Sequence, residues 1–131
     1  MLAAQIYDDA VWTGTGAGTF HVAFPNYQSL SMSNYYQHAH NDYIEFLTDT
    51  GRIGFILLGG VVLISLATAL TAMRKRHHPL MRGMAFASTM GIISLMIHSL
   101  TDFNLRIPGN VALFMIILAL AYVAHSLPGR E

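Results

Sequence analysis

The chain has 131 residues, seven Lys or Arg, seven Asp or Glu, and no net charge with histidine neutral. Its hydrophobic fraction is 53% and its charged fraction 11%, against about 25% charged residues in an ordinary soluble domain. This balance points to either an unusually dry soluble fold or a membrane protein, and gives no basis for nucleic acid as a partner. The absence of cysteine excludes disulfides and thiolate metal sites.

The first 51 residues contain no Lys or Arg, so the start lacks the basic region of a secretory signal. "GTGAGTF", Gly14 to Phe20, places three glycines at alternate positions. It is not G-x-G-x-x-G, and no strand precedes it, so the spacing favours a flexible turn over a phosphate loop. "FPNYQSLSMSNYYQ", residues 24–37, reads as an interfacial loop, with Tyr27, Tyr35 and Tyr36 suited to headgroup depth.

"HAHNDYIEFLTDTGRIG", residues 38–54, is the most ionisable stretch of the chain. Asp42 and Glu45 have the spacing of a carboxylate capping box, which predicts a short interfacial helix from about Tyr43 to Thr50. Acidic residues in its first turn suit the positive end of the helix dipole. Solvated caps are therefore the favoured reading of this pair, ahead of acid–base chemistry. Gly51 permits a left-handed C-cap and a bend into the next helix. His38 and His40 would share a face in an extended segment. Two imidazoles alone make a poor metal site, so no metal or cofactor is expected.

Ile53 to Met73 is an uncharged run of 21 residues, long enough for a hydrocarbon core of about 30 Å. Its polar groups, Ser65, Thr68 and Thr71, can bond back to their own helix. Further spans are predicted at 83–100 and 111–127, with Arg82 snorkelling. The scattered methionines read as packing. The fold class is thus an all-α membrane protein, with three transmembrane helices after an outward-facing loop and a short interfacial helix. The predicted domains are a loop region, 1–52, and a three-helix region, 53–127.

"RKRHHPLMR", residues 74–82, holds four of the seven Lys and Arg, and His77 and His78 add to it. Positive charge prefers the cytoplasmic side, which places 1–52 and the loop near 101–108 outside and the C-terminus inside. His98 and Asp102 are four residues apart. They would pair if helix continued through both.

His40-Asn41, nine residues, then Gly51-x-x-Gly54 resembles the histidine motif of the O-antigen ligase family, which includes the related polymerases and some protein O-oligosaccharyltransferases. "GTGAGTF" resembles that family's glycine-rich turn. "HSLTDFNLRIPGNVALF", residues 98–114, resembles a later segment, so the likeness runs over nearly the whole chain. The resemblance implies a C-terminal portion of a larger bacterial inner-membrane protein, with the histidine motif on the periplasmic side. It implies transfer of a glycan from an undecaprenyl-pyrophosphate carrier to an acceptor hydroxyl of lipid A core, growing polysaccharide or protein.

On that resemblance His40 is the catalytic residue, as general base or as the group that orients the acceptor. His38, Asn41, Arg52, Asp102 and Arg106 are the candidate substrate-binding residues. The family's pyrophosphate-binding arginines lie upstream of its histidine motif, whereas this sequence has no Lys or Arg before Arg52. A separate N-terminal polypeptide is therefore an expected partner, beside the lipid bilayer, the carrier-linked donor and the acceptor. The alternatives are an inactive remnant and a transporter subunit. A transporter would carry polar groups near mid-membrane at a broken helix. Here the midplane offers only Gly59, Gly60, Ser65, Ser88 and Thr89.

Overall fold

Proline and glycine set the punctuation of this chain. The computed structural model describes residues 11–16, 18–19 and 41–127. It contains helices α1 (Asp42–Lys75), α2 (Pro79–His98) and α3 (Pro108–Ser126), with a 3-10 turn at Asn104–Arg106 between α2 and α3. Among the described residues there is no strand. All three helices are long and apolar enough to cross a membrane. Pro79 and Pro108 begin α2 and α3, where the missing N–H costs nothing and the ring pre-sets φ. Arg74 and Lys75 close α1 at the negative end of its dipole.

The helices differ at their ends from the charge-free runs that predict them. α1 runs on through Lys75, α2 starts early enough to include Arg82, and it stops at His98. Charged side chains at a helix end reach polar surroundings without leaving the helix, so the end of an apolar run is not the end of a helix.

The chain forms two compact units, residues 1–58 with 99–103, and residues 59–98 with 104–131. In the second unit, Ile92, Phe114 and Leu118 form a cluster flanked by Val62, Leu66, Leu95, Met96, Leu105 and Ile117. A smaller one joins Ala72, Ala85 and Ala124, with Met73 and Met84 against it. Alanines with no exposed surface let helices approach closely, which is how membrane helices gain contact without a hydrophobic drive. Ser65, Thr68 and Thr71 donate to the carbonyls of Val61, Ile64 and Ala67, as their positions predict. Each hydroxyl is thereby satisfied inside an apolar run.

The first unit is built around a break in α1. Gly51 has φ 63° and ψ −172°, a region that is essentially glycine-only. In an unbroken helix the Arg52 and Ile53 amides would donate to the Thr48 and Asp49 carbonyls. Instead they donate to Val11 O at 2.9 Å and Trp12 O at 3.3 Å. The Thr48 and Asp49 carbonyls accept from Thr15 N at 3.0 Å and Gly16 N at 2.9 Å. The glycine-rich turn is therefore a backbone clasp on the break. It is also tied to itself, since Thr19 Oγ1 donates to Gly16 O at 2.7 Å.

The clasp leaves no room for side chains at two positions. A Cβ on Gly51 would stand 2.4 Å from Trp12 O, and one on Gly14 would stand 2.3 Å from Asp49 O. Gly18 also has positive φ, but a Cβ there meets nothing within 4 Å. Gly51→Ala and Gly14→Ala should each cost more than about 3 kcal/mol, because strain adds to backbone overlap. Gly18→Ala should cost about 1–2 kcal/mol from strain alone. Denaturant unfolding of the three variants in detergent, followed by Trp12 fluorescence, checks this order. A Gly51→Ala variant as stable as the parent would overturn it.

Candidate functional site

The break at Gly51 has the short helical segment 42–50 in front of it, and the three stretches singled out in the sequence meet on that segment. At its C-terminal end sits the glycine-rich clasp. At its start Asn41 is the cap, with its Oδ1 accepting from Tyr43 N at 3.0 Å and Ile44 N at 3.2 Å. Asn41 Nδ2 donates to Leu100 O at 2.9 Å, and Asp42 N donates to Ser99 O at 3.0 Å. Residues 99 and 100, from the stretch after α2, are thus stitched to the segment that follows the histidines.

The capping expectation for Asp42 and Glu45 is corrected by this geometry. A short amide side chain at position 41 reaches the first free amides of the helix, so the cap falls one residue earlier. Asp42 and Glu45 then turn inward. Both are buried, at 1% exposure, as is Asp49. Positions 42, 45 and 49 are three and four apart, which puts all three carboxylates on one helix face. Thr48, also buried, donates to Glu45 O at 2.9 Å and Ile44 O at 3.1 Å. The Asp49 carboxylate accepts from Gly18 N at 2.8 Å, so this charge faces the clasp. Among the described residues, no three His, Cys, Asp or Glu side chains are grouped to hold a metal ion.

The other candidates separate. Arg52 is exposed, and its guanidinium carbon lies 5.6 Å from the centroid of the Trp12 ring. That contact is worth about 0.5–1 kcal/mol at an exposed site. Trp12 is itself 63% exposed. Asp102 is half-buried in the first unit, where its Oδ1 accepts from Phe103 N at 2.8 Å. Arg106 is half-buried in the 3-10 turn of the second unit. Helix α2 ends at His98, so the helical spacing assumed for a His98–Asp102 pair is not present. His38 and His40, with Tyr27, Tyr35 and Tyr36, lie outside the described residues.

Tyr43 is the one described group of this unit whose ionisation is clearly displaced. Burial raises its pKa above 10.0, and the neighbouring Asp42 charge raises it further. Its ring meets Phe55 edge-on, with centroids 6.4 Å apart. The contact ties the segment before the break to the helix after it.

With this geometry in view, the comparison with known families is direct. Residues 2–59 match the O-antigen ligase family. The matched stretch nearly coincides with the main segment of the first unit, residues 1–58. It contains the clasp, the histidine motif and the break. The O-antigen ligase match stops before residues 98–114, so that part of the sequence resemblance is outside it. No curated protein and no solved structure matches the chain.

Sequence reasoning passed over Asp49, Thr48, Ser99 and Trp12. Only Asp49 left a readable signal, its spacing from Asp42 and Glu45. Asp49→Asn keeps the size of the side chain but weakens a charge-assisted bond to the clasp. It should cost about 1–3 kcal/mol, read as faster proteolysis of the 11–19 turn. Tyr43 sets a pH dependence. The folded state holds the phenol proton more tightly than the unfolded chain. Its contribution is complete below pH 10 and is lost as pH rises through the higher folded pKa. Melting temperature should fall over that window in the parent, and less steeply in Tyr43→Phe.

Proposed function

We infer that this chain carries the acceptor-activating end of an O-antigen ligase-type glycan transfer. A carrier-linked glycan passes from undecaprenyl pyrophosphate to an acceptor hydroxyl. The observation that carries the reading is the clasp. Within the O-antigen ligase match, the glycine-rich turn holds the helix that follows the histidine motif. A hydroxyl must lose a proton as it attacks, and imidazole, with an ordinary pKa near 6.5, can take it near neutrality. His40 has that role here.

Asn41 supports the reading from the next position. Its side chain binds both the helix start and Leu100 O, which ties the start of the helix to the stretch after α2. A base is effective only when held at a productive distance and angle. Arg52, over Trp12, is the cation of the first unit nearest the break, and it answers the leaving pyrophosphate. His38 and Asp102 stay as further substrate contacts on this reading. The basic run 74–82 supports the periplasmic side on this reading, by the positive-inside rule. The acceptor is a hydroxyl of lipid A core, polysaccharide or protein. A transporter subunit is less well supported, because the break in α1 lies ahead of the apolar run rather than in its middle.

Membranes containing this chain, alone or joined behind the upstream helices of a full-length O-antigen ligase, would be supplied with a radiolabelled carrier-linked glycan. The fusion should transfer label. His40→Ala should lower the rate by about 100-fold or more, the usual scale of general-base loss. Asn41→Ala should lower it less and leave its pH profile unchanged. A folded fusion that is inactive, or one indifferent to His40→Ala, would sink the proposal.

A further inference from the structure

The second unit has a groove at its charged end, outside the O-antigen ligase match. It has a volume of about 440 Å³ and is lined by Met73, His77, Pro79, Arg82, Gly83 and Phe86. This falls in the range of about 300–1,000 Å³ typical of small-ligand clefts. Positions 79, 82, 83 and 86 share one face of α2. Gly83 leaves the floor open, since a Cβ there would meet nothing within 4 Å.

The lining is polar at one end and apolar at the other. His77 and Arg82 are exposed at the mouth, beside the run Arg74, Lys75 and Arg76. The positive end of the α2 dipole points the same way, because Pro79 is its first residue. Below them, Phe86 is 55% exposed and Met73 half-buried. A free phosphate would satisfy the cations and leave this wall bare. A zwitterionic lipid would cover the wall but bring its own cation against Arg82. Both ends are matched by a lipid whose headgroup carries net negative charge. Basic pockets between membrane helices recognise such headgroups in general.

We propose that this groove is a binding site for one anionic phosphoglyceride. The headgroup phosphate sits on Arg82 and the first turn of α2, and an acyl chain lies along Phe86 and Met73. The site is independent of the glycan-transfer reading, because none of its residues belongs to the first unit.

The test uses the full chain in phosphatidylcholine nanodiscs doped with phosphatidylglycerol, with retained lipid counted by native mass spectrometry. The parent should retain phosphatidylglycerol over phosphatidylcholine. Arg82→Gln should weaken retention about tenfold, the scale of one charge-assisted contact. Gly83→Leu, which fills the groove without changing charge, should do the same. Lys75→Gln, beside the groove but not lining it, should change little. Should Gly83→Leu fail to fold by thermal melting, Phe86→Ser removes the apolar wall and carries the same expectation. Equal retention of phosphatidylcholine overturns the proposal, as does loss in Lys75→Gln equal to that in Arg82→Gln. Displacement by inorganic phosphate marks a bare anion site, and preference for a polyprenyl phosphate marks a different occupant. Either result also overturns it.

Discussion

The first unit depends on an exchange of backbone hydrogen bonds at one glycine. Where α1 breaks, two amides and two carbonyls need new partners, and the turn at 11–16 supplies all four. Each such bond contributes about 0.5–1.5 kcal/mol net, but leaving a buried backbone group unmade costs more. The clasp and the break are therefore one object. The break takes its hydrogen-bond partners from the turn, and the described residues of the turn form no strand or helix of their own. Glycines at 14 and 51 are required because the two backbones pass too close for any side chain.

That exchange determines what the segment 42–50 can present. Clasped at one end and capped by Asn41 at the other, it cannot rotate to expose its carboxylates. Asp42, Glu45 and Asp49 stay on the inward face. A buried carboxylate stripe is costly to maintain and needs partners. Part of that need is met by Gly18 N on Asp49. The segment is thus held at both ends, by the clasp and by Asn41.

The second unit is organised by different physics. The hydroxyls of Ser65, Thr68, Thr71, Thr89 and Ser126 bond back to carbonyls of their own helices, so packing does most to distinguish one arrangement from another. Small residues decide where helices touch: Ala72, Ala85 and Ala124 in one cluster, and Gly91 against Ile117 near the other. A glycine that packs against nothing, Gly83, instead leaves a groove beside the basic run.

By itself the sequence determined the fold class, because uncharged runs near 20 residues leave the backbone no solution in lipid other than helix. It also determined the bend at Gly51, through the one residue type that tolerates such a φ, and the self-satisfied hydroxyls at 65, 68 and 71. Tertiary structure decided what those features do. The glycine-rich turn reads as flexible in the sequence, because its hydrogen-bond partners lie more than thirty positions away. Asp42 and Glu45 read as solvated caps because local spacing cannot say which face of a helix is covered. Asn41, one place earlier, took the cap, and long-range packing then turned the carboxylates inward. Local propensity is written in neighbouring residues, whereas burial is set by segments that meet only after folding.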